Sequence, residues 1–340
     1  MKNFLSAFAV SFISLTSFSQ SLDSAQFYFQ KGVEENNGRL YAIAAKDFDK
    51  AIYYNPNYKE AYIANGKVNL EMSRIGPAEV NYIKAYQLDS LDKEVIKELS
   101  SLYFNNHQFQ KAIDLAQQCD QCDNTDLILG MSNYYLEDYG KAEKYLKLAL
   151  AKNDKDAEAN YTLGLTYLEL ENNKGAIEEY QKAIALEPTK NLWIYELGLI
   201  CYNQNDYKSA LKYFDMASNN GYNKTNDFFE NYGFAQIYTG DSENGIKTLG
   251  IVLERKPNNT ELLNNIAHAM YDTKKYNEAL DYFKKLLDLN PKDAPSLFMA
   301  GLTLQKLGQK EKGQKICDNA IAMDPSLTMY RQKKDVPAGL

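Results

Sequence analysis

The stretch Ala157–Lys190, AEANYTLGLTYLELENNKGAIEEYQKAIALEPTK, spaces its apolar residues at helical intervals in two runs. The runs predict two amphipathic helices joined by a short polar turn. Small residues stand where the helices must touch: Gly164 in the first, Ala176 and Ala183 in the second. Leu163, Tyr167 and Tyr180 fill the space between, and Pro188 closes the segment.

The pattern returns every 34 residues. Counting outward gives 25–58, 59–92, a shortened 93–122, 123–156, 157–190, a slightly longer 191–225, 226–259, 260–293 and 294–327. The eighth position of these nine units reads Gly32, Gly66, Ser100, Gly130, Gly164, Gly198, Gly233, Ala267 and Gly301. Glycine is only 18 of 340 residues, so that column is not chance. The twentieth position reads Ala44, Ala78, Ala112, Ala142, Ala176, Ala210, Gly245, Ala279 and Gly313. Position 24 supplies bulk, as Phe48, Tyr82, Leu146, Tyr180, Phe214, Leu249 and Phe283. Proline closes a unit at Pro56, Pro188, Pro257, Pro291 and Pro325.

Close packing explains the columns. Antiparallel helices approach within about 8–10 Å only where the contact residues are small. A helical glycine costs up to about 1 kcal/mol relative to alanine, so its recurrence marks contact. One such pair cannot bury its apolar face alone, and stability comes from stacking neighbours.

These columns resemble the tetratricopeptide repeat over Ala25–Leu327. The resemblance implies an all-α fold, a right-handed α-solenoid or superhelix of antiparallel helix pairs, with first helices forming the concave side. It also implies that first-helix positions 2, 5, 9 and 12 face a groove. In mid-chain those positions give Leu127, Met131, Tyr134, Tyr161, Leu165, Leu168, Tyr195, Leu199, Tyr202, Phe234 and Ile237. Toward the ends they turn polar, as Glu60, Lys67, Glu94, Lys97, Glu230, Glu261 and His268. An apolar, tyrosine-rich floor with polar flanks suits a peptide or protein partner. The competing reading has several of these residues packing between adjacent first helices. Some family members hold a partner's terminal carboxylate with Lys, Asn and Arg. Lys67 and Lys97 are close in kind, but the remaining residues of that clamp do not follow.

Composition narrows the partner. Tyrosine is unusually frequent at 27 residues, and tryptophan occurs once, as Trp193 beside Tyr195. A net charge of −7 leaves no basic excess to neutralise phosphates, which disfavours nucleic acid. Lys2 followed by the apolar run FLSAFAVSFISLTSF predicts a signal peptide over residues 1–19, cleaved after Ser19. That run falls short of the roughly 20 residues a spanning helix needs, and no later stretch spans a membrane. The expected location is therefore exported, either periplasmic or secreted. Residues 328–340 read as a short cap, MYRQKK, followed by a fraying tail.

Candidate chemistry is sparse. Cys119 and Cys122 form a CxxC at the end of the shortened unit, and four readings compete. They are a local disulfide, a redox dithiol, a zinc site with His107, or two structural thiols. The redox reading wants a helix N-terminus, whereas the pair falls after a second helix; zinc wants four ligands. Cys201 and Cys317 occupy core columns and read as buried thiols. No HExxH, GxSxG or P-loop occurs, so neither enzyme activity nor a cofactor or metal is expected. The first functional reading is a protein-binding scaffold of the cell envelope. The alternatives are a glycan binder whose tyrosines stack on sugars, and a thiol-redox protein built on the CxxC.

Overall fold

The computed structural model describes residues 22–119 and 122–330. The expected signal peptide and residues 331–340 of the expected tail lie outside them. Among the described residues every regular element is helical, and they fall into two compact units that meet at Asn172 and Asn173. The first unit holds α1 (22–37), α2 (Tyr41–Tyr54), α3 (Lys59–Glu71), α4 (Ile75–Leu88), α5 (Lys93–Asn105), α6 (Phe109–Ala116), α7 (Thr125–Tyr135), α8 (Tyr139–Lys152) and α9 (Ala157–Glu169). The second holds α10 (Asn173–Leu186), α11 (Asn191–Asn203), α12 (Tyr207–Asn219), α13 (Asn226–Tyr238) and α14 (Ser242–Arg255). It continues through α15 (Thr260–Asp272), α16 (Tyr276–Leu289), α17 (Ala294–Lys306), α18 (Lys310–Met323) and a 3₁₀ turn, Pro325–Tyr330.

Within each unit consecutive helices pair back to back, and the glycine column is the reason they can. A Cβ on Gly66 would lie 2.9 Å from the Tyr82 ring, and one on Gly198 2.6 Å from the Phe214 ring. Gly130 meets Leu146, Gly233 meets Leu249 and Gly301 meets Cys317 in the same way. The bulky partner is thus the residue sixteen positions further on, which is fully or almost fully buried each time.

The turn inside each pair is also uniform. Ser73, His107, Glu137, Asn205 and Lys274 all adopt φ between 56° and 63°. Gly240 and Gly308 take the same place. Beside each, a backbone N–H reaches back to the helix just ended, as Arg74 to the Asn69 carbonyl and Lys275 to the Met270 carbonyl. This is a Schellman closure, which satisfies carbonyls the helix leaves open. Aspartates then cap the incoming helix: the side chains of Asp138, Asp206 and Asp241 accept from the backbone N–H groups of Lys141, Ser209 and Asn244.

First helices also touch the next first helix, α5 with α7 and α7 with α9 in one unit, α11 with α13 and α13 with α15 in the other. The first helices thus form one layer of each stack, and the second helices the other. The buried residues of each unit form several clusters, such as those around Phe48, Tyr82 and Ala112 in the first. In the second unit Ile237, Leu249, Ile266, Met270, Phe283 and Met299 belong to a single buried cluster.

Two expectations are corrected here. The second helix of the shortened repeat, α6, stops at Ala116, so Cys119 is not helical. It is buried in a turn, against the cluster that holds Tyr82, Leu99 and Leu115. At the other end the cap starts earlier than Met329: the 3₁₀ turn begins at Pro325 and plugs the last pair with Leu327.

Candidate binding cleft

The first-helix layer of the second unit holds a cleft of about 380 Å³. Three successive first helices build it. Tyr202 comes from α11, Glu230, Asn231, Phe234 and Tyr238 from α13, and Asn265 and His268 from α15. Helical periodicity puts Glu230, Phe234 and Tyr238 on one stripe of α13, four residues apart. That stripe departs from the expected one at its end. Ile237 is fully buried, and its neighbour Tyr238 lines the cleft instead.

The floor is aromatic and braced from the adjoining turn. Tyr207, the first residue of α12, stacks on Tyr238 at 4.6 Å and 20° and meets Tyr202 edge-on at 5.3 Å. The Tyr207 hydroxyl donates to Asn205 Oδ1 at 2.7 Å. The same device recurs in the first unit, where Phe109 stacks on Tyr135 at 4.7 Å. Tyr276 packs on Tyr271 at 5.5 Å. Position 17 of the repeat is thus an aromatic column, Tyr41, Phe109, Tyr139, Tyr207 and Tyr276, readable in the sequence though masked there by the glycine and alanine columns. Burial pushes the Tyr238 hydroxyl up to about 12, with Asp272 and Tyr207 adding to it. Burial raises Tyr202 further.

One carboxylate, Glu230, lines the cleft, and Asp227, Glu261 and Asp272 lie near its lining residues. Burial lifts Glu230 above the ordinary carboxylate range, and the charges of Asp227 and Glu261 push the same way, against Lys256. Asp272 is raised by burial, with His268 opposing. His268 packs edge-on against Phe283 at 5.5 Å.

Of the residues expected in the groove, Tyr202 and Phe234 meet in this cleft. Leu199 is half-buried on α11. Tyr195 is an interior residue, 6% exposed. Its ring stacks on Tyr222 at 4.4 Å and packs against Phe214 and Phe228, and its hydroxyl accepts from Asn231 Nδ2 at 3.1 Å. Trp193 is buried too, beneath the Lys190 ammonium at 4.8 Å. The tyrosine at position 5 was expected on the surface. The longer loop of this repeat swings Tyr222 over it instead. In the first unit Leu127, Met131 and Tyr134 lie half-buried on α7, and Tyr161 and Leu165 half-buried on α9.

Cys119 and Cys122 are joined in a disulfide, with Cα atoms 5.6 Å apart. Both are buried, and the Thr125 hydroxyl donates to the Cys119 carbonyl at 2.7 Å, tying the bridge to the start of α7. Because α6 ends early, the pair lies between a helix C-terminus and the following N-terminus rather than inside a second helix. Cys201 and Cys317 are buried free thiols, and burial pushes Cys201 up to about 11. Among the described residues no group of three or more His, Cys, Asp or Glu is placed to hold a metal. No helix among them is long and apolar enough to cross a membrane.

Fold and layer together define an all-α repeat solenoid. The repeats are tetratricopeptide repeats: family models of that description match residues 129–191, 260–293 and 282–315. A solved structure, the C-terminal part of a tetratricopeptide repeat-containing protein from Cytophaga hutchinsonii, superposes with a TM-score of 0.50. It covers 70% of this chain and 99% of that one at 18% identity, a likeness of fold. Among curated proteins, the BBSome complex member BBS4 of Bos taurus is 22% identical over 72% of this chain and 47% of its own length. The anaphase-promoting complex subunit CDC16 of Saccharomyces cerevisiae is 25% identical over half of this chain and 21% of its own. The chain therefore spans less than half the length of these relatives.

Proposed function

We propose that the chain is a non-enzymatic scaffold or adaptor of nine repeats, exported to the cell envelope, that holds a peptide or protein partner on its first-helix face. One observation carries the reading: three consecutive first helices converge on a tyrosine-floored cleft of about 380 Å³. Rigid aromatic rings with polar tips give large contact area at small entropic cost. The two curated relatives are named as members of multi-subunit complexes, which supports an assembly role. The hydrophobic leader at residues 4–18 and the disulfide support an oxidising, exported setting.

The glycan reading loses the free ring faces it needs, since Tyr195 is interior and Tyr238 spends one face on Tyr207. The redox reading needs an accessible thiolate, and both sulfurs are buried in a bridge.

The test is capture of the partner from native envelope extract by tagged chain carrying Tyr202→Ala and Tyr238→Ala. Capture should fall about tenfold or more, a hot-spot loss, while the helical circular-dichroism signal persists. Undiminished capture rejects the cleft. The mass of the protein purified from its host checks export: a mature chain starting at Gln20 is expected, and an intact N-terminus rejects it.

A further inference from the structure

We propose that the cleft between α11, α13 and α15 receives an arginine or lysine side chain from an extended segment of the protein partner. The inference rests on the binding reading above and adds the charge of what is bound.

It starts from how charge is divided between the two helix layers. The first helices α11, α13 and α15 carry the carboxylates Glu196, Asp227, Glu230, Glu261 and Asp272, and neither lysine nor arginine. The second helices α12, α14 and α16 carry both signs: Lys208, Lys212, Lys247, Arg255, Lys284 and Lys285 stand among Asp215, Glu243, Glu254, Glu278, Asp281 and Asp288. Solvation alone would scatter both signs over both layers, as it does on α3 and α5, where Lys59, Lys67, Lys93 and Lys97 sit among acids.

Pairing points the same way. On the second helices acids have bases within reach on their own helix, and two are ion-paired there, Glu243 with Lys247 at 2.8 Å and Asp281 with Lys284 at 3.1 Å. Among the described residues Asp227, Glu230, Glu261 and Asp272 have no such ion pair. The positive groups near them are Lys256, just past the end of α14, and His268. Burial and mutual repulsion already hold Glu230 above its ordinary range, so an incoming cation relieves a cost that the free protein bears.

The floor suits the same guest. Tyr202, Phe234 and Tyr238 line the cleft, and a cation is attracted to the electron-rich π-system of an aromatic ring. A guanidinium fits best, because its plane stacks on rings while its N–H groups reach carboxylates. A cleft of about 380 Å³ takes one long side chain. The walls belong to three successive repeats, so a peptide backbone has a surface to run along beyond it. Capture of a free terminal carboxylate is excluded by the sign of the rim.

Selection of random displayed peptides on the immobilised full chain tests this. Expected is enrichment of peptides with a central Arg or Lys, and about tenfold or greater loss of their binding to Glu230→Gln/Asp272→Asn chain. Glu261→Gln should weaken them less, and Glu254→Gln, on the second helix α14, should leave them unchanged. Acidic or neutral peptides that need Tyr202 and Tyr238 would overturn the charge inference and leave the binding reading standing. Enrichment indifferent to both the tyrosines and the carboxylates, or no enrichment at all, would overturn both. If the double variant fails to fold, binding of the enriched peptides to wild type at rising salt decides, and salt-independent affinity overturns the inference.

Discussion

At the scale of single residues the protein depends on missing side chains and on a few paired charges. Replacing Gly198 by alanine puts a methyl group 2.6 Å from the Phe214 ring, which has no room to yield inside the α11–α12 contact. Overpacking of this kind costs about 1–3 kcal/mol, and urea unfolding should show that loss. Asp47 is the clearest electrostatic case. It is almost fully buried on α2, 2.6 Å from the Lys31 ammonium and 2.7 Å from that of Lys50. Burial alone would raise its carboxyl; the hydrogen bonds from the two lysines outweigh that and hold it below the ordinary range. A depressed carboxylate stabilises the fold above its unfolded value, and the contribution disappears as pH falls through the lower folded value. Thermal melts of wild type and Asp47→Asn should therefore differ at neutral pH and converge below about pH 4.

At the scale of elements the closing turn is the repeated weak point. A left-handed conformation costs an ordinary residue roughly 1–2 kcal/mol, and most of these turns place one there. Lys274, exposed at φ 63°, gains nothing from its side chain that would offset this. Lys274→Gly should stabilise the protein by about 0.5–1 kcal/mol, since glycine's extra unfolded-state entropy takes back part of the relief. Chemical denaturation would detect it, and a loss of stability would show that the turn is not the strained site. Gly240 and Gly308 show the solution already in use. The aromatic column at position 17 works at the same scale. It joins the start of a second helix to the first helices beside it, and gives four of the 27 tyrosines a packing role that needs no ligand.

For the whole molecule, stability is a sum of neighbour interfaces and not the property of one core. The Gly198→Ala lesion should accordingly stay local. Hydrogen exchange should show faster opening in α11 to α14 and unchanged protection in α3 and α4. Uniform loss of protection would mean that the array unfolds as a single cooperative body. The net charge of −7 is unevenly distributed. Helices α11, α13 and α15 carry acids and neither lysine nor arginine, whereas α12, α14 and α16 carry both signs.

The sequence by itself determined the helix pairs and their contacts. Gly66 opposite Tyr82 and Gly198 opposite Phe214 were readable because close approach leaves only one size of residue at a place, and period makes the place visible. It also marked the first helices as the face to examine, and named Tyr202 and Phe234. Tertiary structure decided which of that face is open. Tyr195 stands in the same column as Glu230, yet it is sealed by Tyr222 from a loop lengthened by one residue. Ile237 is buried and Tyr238 lines the cleft, a choice between neighbours that the period alone leaves open. The early end of α6, which leaves Cys119 outside a helix and bonded to Cys122, was equally out of reach of the repeat pattern. A periodic pattern specifies which residues lie at an interface. Exposure depends on what the next element lays over them, and that is fixed only when the repeats are stacked.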